Sequence, residues 1–144
     1  MRFALRFILF TGLLLSTVQC AKRASPTGGP KDSIPPVLIN ASPKLNSIFF
    51  DKEEIGLTFD EYVTLKDINK QLIISPPLNS TQYKVYPVTG ASKKVTLKLL
   101  DTLLDNTTYT FNFGESIIDF NESNPASYLT YTLSTGPTID SLYI

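Results

Sequence analysis

The sequence predicts an all-β protein, an antiparallel β-sandwich of seven to eight short strands. A signal segment and a Pro/Gly-rich tether precede it. Three observations carry this. Several short segments alternate apolar and polar residues with a period of two. Turn-forming residues separate them, and no long stretch shows a helical period. The strongest segment, residues 104–113, opens on a polar corner and places Tyr109, Phe111 and Phe113 on one face and Thr108, Thr110 and Asn112 on the other. Three rings on one side need an apolar partner surface, which a second sheet supplies.

Composition narrows the function classes. The chain has 144 residues, with 13 Lys+Arg balanced by 13 Asp+Glu. Zero net charge argues against a nucleic-acid partner, which needs a basic face. There is no His, which removes Ser-His-Asp and Cys-His nucleophile systems and every His-ligated metal site from this sequence. No phosphate loop or cofactor motif appears, so no cofactor is expected. The single Cys cannot form an internal disulfide, and its position at residue 20 suggests another use.

Taken in order, residues 1–19 read as an export signal. Arg2 and Arg6 make a positive start, and residues 7–15 an apolar run interrupted by Thr11 and Gly12. That run is shorter than the roughly 20 residues a spanning helix needs. Polar and small residues then lead to Cys20. The arrangement resembles a bacterial lipoprotein signal, although Thr17 and Gln19 stand where that pattern prefers a Leu-like and a small residue. The resemblance implies acyl chains on Cys20 and therefore a membrane partner: anchored to the outer membrane, on its periplasmic or its surface face, without spanning it. Ordinary secretion, an uncleaved anchor and a buried apolar segment are the alternatives. Removing residues 1–19 leaves 11 basic against 13 acidic residues.

Residues 20–33 form the lipidated Cys and its tether, and the Pro/Gly-rich character continues to Pro36. Four Pro and two Gly in residues 24–36 leave little to bury. The run from Ser25 to Asp32 resembles the start of Bacteroidetes-type lipoproteins with an Ig-like first domain. The strands follow. Residues 37–40 are a short strand and 47–50 a brief apolar piece. Ile55, Leu57 and Phe59 point inward from a strand that Glu61, Tyr62 and Val63 continue into a bend. Leu65 and Ile68 allow a single helical turn within residues 64–70. Residues 71–75 are a strand stopped by Pro76 and Pro77. Tyr83 and Val85 face one way, Lys84 and Tyr86 the other. Val95, Leu97 and Leu99 point inward, and the strand of Tyr109 follows. Residues 115–127 read as a loop, and Leu129, Tyr131 and Leu133 close the domain.

Residues 34–37 (Ile-Pro-Pro-Val), 55–63 (Ile-Gly-Leu-Thr-Phe-Asp-Glu-Tyr-Val), 94–97, 104–111 and 131–136 resemble, in order and spacing, the bacterial Ig-like domain of S-layer and surface proteins. The resemblance covers residues 34–136 and implies an Ig-like sandwich acting as a non-catalytic spacer or adhesive unit. Tyr109, just after the corner, looks like the tyrosine corner of that fold; an ordinary core Tyr is the alternative. The family's Asp-x-x-Gly-Asn loop before the last strand is replaced here by residues 119–124, which lack the Gly. After Gly136 an apolar pattern restarts, and residues 137–144 read as the start of a following linker or domain.

Four groups of residues are candidate sites. Asp119, Asn121, Glu122 and Asn124 offer oxygen ligands for a hard cation, but Asx turn-formers explain them equally well. Asp60 and Glu61 are adjacent, so they point to opposite faces of a strand and make a poor acid–base pair; they read as exposed charges at a strand end. Tyr83, Tyr86 and Tyr128 are candidates for ligand contact, sugar or protein, or are ordinary cross-strand pairs. Ser33, Thr102 and Ser141 each follow an Asp and precede an apolar residue, which resembles the acceptor of Bacteroidetes-type O-glycosylation. The expectation is a non-catalytic Ig-like module of an envelope lipoprotein, a spacer or a protein or glycan interaction unit. The alternatives are a carbohydrate-binding module for polysaccharide capture, or the non-catalytic head of a larger envelope enzyme.

Overall fold

The computed structural model describes residues 29–126 and 128–140. Contacts divide the chain after Pro30, and the larger unit begins at Lys31. The signal segment, Cys20, most of the tether and Ser141 lie outside the described residues.

Among the described residues, eight strands and one helical turn occur in the order β1 (Leu38–Ser42), β2 (Glu54–Leu65), α1 (Ile68–Gln71), β3 (Ile73–Ser75), β4 (Tyr83–Tyr86), β5 (Ser92–Leu99), β6 (Thr108–Asn112), β7 (Ile117–Asp119) and β8 (Thr130–Ser134). One sheet runs β1-β2-β5-β4, and the other β3-β6-β8; all pairings are antiparallel. This is the strand order of a constant-type Ig sandwich, first-second-fifth-fourth over third-sixth-last, with β7 inserted before the last strand. β7 shares an edge of β2 with β1: β1 lies along Gly56–Phe59 and β7 along Val63–Leu65.

The alternation seen in the sequence becomes the core. Ile55, Leu57 and Phe59 of β2 and Val95, Leu97 and Leu99 of β5 bury from one sheet. Tyr109, Phe111, Tyr131 and Leu133, with Phe113 just beyond β6, bury from the other. Each such side chain contributes about 1.5–3 kcal/mol on transfer from water. The Leu104 N–H donates to the Tyr109 hydroxyl at 3.1 Å, so the ring reaches back across the corner as a tyrosine corner does. Phe111 lies 6.5 Å from Tyr109 and 6.3 Å, edge-on, from Tyr131. The Tyr131 hydroxyl donates to the Pro43 carbonyl at 2.9 Å. That bond fixes the point where the chain leaves β1 for the other sheet.

Several boundaries differ from the sequence reading. Residues 47–50 form no ladder; a single parallel bridge, Ser47 to Leu133, and the Phe50 N–H on the Ser134 carbonyl at 2.9 Å lay them along β8. β2 is 12 residues long and passes straight through Asp60 and Glu61. Leu65 therefore belongs to β2, and Asp67, at φ 50°, turns the chain before α1 begins. The expected loop at residues 115–127 contains β7. Its Ile117, Ile118 and Asp119 are all buried because β7 fills the edge of β2 that β1 leaves open. Beyond β8 the Gly136 carbonyl accepts from the Phe49 N–H at 3.0 Å, and the Asp140 N–H donates to Thr108 Oγ1 at 2.9 Å.

Candidate functional site

Asp119 ends β7 and organises a hairpin. Its backbone N–H bonds to the Asn124 carbonyl at 2.9 Å, and Ala126 N–H returns to Ile117 at 2.8 Å. Its carboxylate, 1% exposed, turns into the loop. Oδ1 accepts from the backbone N–H groups of Glu122 at 2.6 Å and Ser123 at 3.0 Å, and Oδ2 from Asn124 at 2.8 Å. The loop's own backbone shuts the carboxylate off from water close to the domain surface. Burial pushes its pKa up, but the N–H donors outweigh that and leave it below the ordinary Asp value.

The hairpin also holds the start of the domain. Asn124 Nδ2 donates to the carbonyls of Asp32 at 3.1 Å and Ile34 at 3.4 Å. Asp60 makes a two-way clamp on Val37, the residue before β1: its Oδ1 accepts from the Val37 N–H at 2.8 Å, and its own N–H donates to the Val37 carbonyl at 3.1 Å. Glu61 sits among these acids. Its pKa is raised by burial first, then by the charges of Asp119, Asp60, Asp32 and Glu122. Among the described residues, no group of three or more Cys, Asp or Glu side chains is placed to hold a metal ion. The oxygens of Asp119 and the amide of Asn124 are engaged by backbone groups, the arrangement of a turn built by Asx residues.

The three tyrosines do not share a face. Tyr83 points inward from β4 and packs against the core. Tyr86 points outward from the same strand and is 40% exposed. Tyr128 precedes β8 of the other sheet and is 77% exposed, with its N–H on the Gly114 carbonyl at 3.1 Å. Ser33 and Thr102 are exposed. Thr102 borders an open cleft of about 550 Å³, lined also by Phe50, Glu53, Lys98 and Asp105. Beside it Asp101 accepts from Gln82 Nε2 at 3.1 Å and from the Thr102 N–H at 2.8 Å, and these bonds hold its carboxyl below the usual range.

Nothing in these surfaces pairs a nucleophile with a base; what they share is a rigid two-sheet frame with exposed outer faces. The family model described as bacterial Ig-like domain matches residues 32–135. The chain belongs to the bacterial Ig-like domain family. No curated protein and no solved structure shows significant similarity to it. As a bacterial Ig-like domain, the unit described here is a non-catalytic module. Its match begins at Asp32, the residue that Asn124 holds.

The same hairpin holds one strained residue. Ser123, directly before Asn124, takes a left-handed conformation at φ 66°. A side-chain-bearing residue there costs about 1–2 kcal/mol. Ser123→Gly should therefore raise the unfolding free energy by about 1 kcal/mol, with part of the gain lost to the entropy of the unfolded Gly. Urea midpoints of the two proteins test this; an unchanged or lower midpoint would show that Ser123 earns its conformation through its side chain.

Proposed function

We propose that the chain is a lipid-anchored envelope protein whose Ig-like domain serves as a spacer or interaction unit without catalysing a reaction. Cys20 carries the anchor, at the outer membrane, and the Pro/Gly-rich residues after it set the distance from the lipid. The observation that carries the reading is the placement of the module: the family match starts 12 residues after Cys20, and residues 32–34 are held to the domain by Asn124. Residues 32–34 thus form a fixed entry to the domain. Ser33 and Thr102, both exposed, would be open to glycan addition.

Membrane fractionation and intact mass of the full chain test the anchor. The wild type should pellet with membranes and carry acyl mass, and Cys20→Ala should move to the soluble fraction. An unacylated wild type, or a Cys20→Ala protein that still pellets, removes the anchor from the reading. A second reading, carbohydrate capture, is favoured by the outward ring of Tyr86 on a sheet face rich in hydroxyl and amine groups.

A further inference from the structure

The outer face of the β1-β2-β5-β4 sheet has an arrangement that core packing does not explain. Register places its outward side chains in three rows. Glu54, Lys98 and Lys84 form the first; Ser42, Gly56, Thr96 and Tyr86 the second; Asn40, Thr58 and Lys94 the third. Lys84 and Lys98 are direct cross-strand partners. Like charges directly opposite one another work against a sheet. The ion pairs among the described residues are Asp51–Lys52 and Asp67–Lys70, so Lys84, Lys94 and Lys98 are not neutralised by a close carboxylate. Glu54 lies across from Lys98 and is the sole acid in these rows. From Lys31 onward the chain has 9 Lys against 13 Asp+Glu. An acidic domain thus gathers a third of its lysines on one sheet face.

The face is also level. Gly56 stands in a central strand, where a Cβ would come 2.7 Å from Lys94 Cε. Its missing side chain lets the Lys94 stem lie across the sheet, and that stem covers Gly56 in turn. Between the lysines stands the half-exposed ring of Tyr86, and Asn40, Ser42, Thr58 and Thr96 add neutral hydrogen-bonding groups.

We propose that this face binds a linear acidic glycan, a chain of sugars bearing carboxylates. The proposal deepens the interaction-unit reading and rests on it. Strands about 4.8 Å apart bring the Lys84 and Lys98 ammonium groups within reach of the two oxygens of a single carboxylate. A bound anion would relieve the repulsion that the register builds in. An adjoining sugar ring stacks on Tyr86, and its hydroxyls meet the Thr, Ser and Asn row. An anionic lipid surface would satisfy the lysines but would leave the ring and the neutral row unused, so the glycan is favoured.

The test measures binding of the full chain to polygalacturonate at low salt. Its methyl-esterified form, a neutral glucan and phosphatidylglycerol vesicles are the comparison arms. Polygalacturonate should bind, raise the thermal midpoint and be weakened by added salt. Esterification, or the double variant Lys84→Gln/Lys98→Gln, should weaken binding by about tenfold, the scale of one charge-assisted contact. Tyr86→Ala should weaken it too, Glu54→Gln should strengthen it, and Lys66→Gln, outside these rows, should leave it unchanged. Lys84→Gln alone should not lower the thermal midpoint, so a loss of binding there is not a loss of fold.

Absence of polygalacturonate binding overturns the proposal, as does equal loss in Lys66→Gln. Vesicle binding that depends on Lys84 without glycan binding assigns the face to lipid instead. Binding of the neutral glucan alone removes the acidic ligand while leaving an interaction unit in place. The anchoring reading is decided separately, by the Cys20 fractionation.

Discussion

Replacing Phe111 with Ala should lower the stability of the domain by about 3–5 kcal/mol, the range for a fully buried Phe. Small domains hold only about 5–15 kcal/mol in all, so the variant should lie close to unfolding at growth temperature. The position is decisive for a reason beyond burial. In Ig sandwiches that carry the inter-sheet disulfide, the residue two places after the corner Tyr is a Cys. Here the corner is Tyr109 and that place is held by Phe111, in a chain whose single Cys lies at residue 20. No cross-link can tie these two sheets, so ring packing has to. Phe111 is wholly buried and touches Tyr109 on its own strand and Tyr131 on β8. Ring pairs of this kind add about 0.5–1.5 kcal/mol beyond area burial. Urea unfolding should show a lower midpoint at an unchanged slope, and Phe111→Leu, which fills most of the volume, should recover much of the loss. A Phe111→Ala midpoint within error of wild type would mean that the core does not depend on this ring.

The core was legible in the sequence because burial on one face of a strand imposes a period of two. Ile55-x-Leu57-x-Phe59, Val95-x-Leu97-x-Leu99 and Tyr109-x-Phe111-x-Phe113 state it outright, and each of those nine side chains is buried. β7 was hidden for the opposite reason. It is three residues long and buried throughout, so Ile117-Ile118-Asp119 has no alternation to show. Its trace was the one apolar pair in a polar loop, with Asp119 and Asn124 set to close a hairpin. The length of β2 was obscured by Asp60 and Glu61, which look like a strand end. In fact the ladder to β5 shifts register between Thr58 and Val63, and that irregularity accommodates charges in mid-strand. Nor could alternation reveal that residues 46–50 change sheets, because the bonds responsible are backbone bonds to β8. At the candidate sites, the sequence named the outward tyrosine of β4. It missed the Lys84–Lys98 pairing, because cross-strand register joins residues 14 places apart that no local pattern links.

Removing the carboxylate of Asp119 should cost about 2–4 kcal/mol, since three backbone N–H groups would lose an ionised acceptor at once. Water reaching the opened loop sets the lower end of that range. Asp119→Asn should be little better than Asp119→Ala, because its amide would turn a donor toward other donors. The damage should spread along β2, as β7 pairs with Val63, Thr64 and Leu65 through residues 117–119. Acid should reproduce the effect. The folded pKa lies below the ordinary value of 3.8, so the contribution is complete above that value and is lost as the pH falls through the folded pKa. Wild type and Asp119→Ala should therefore differ most near neutrality and converge at low pH. Parallel curves down to the lowest accessible pH would show that the ionised carboxylate is not what closes the hairpin. Glu61 provides a second readout with the opposite sign. Its pKa is raised by burial and next by the charge of Asp119. In Asp119→Ala that charge is gone, and the Glu61 titration followed by NMR should move down toward the ordinary Glu range. The charge can act only if the two carboxylates are neighbours across the β2–β7 pairing of the wild type, so the shift tests the placement of β7 as well as the charge.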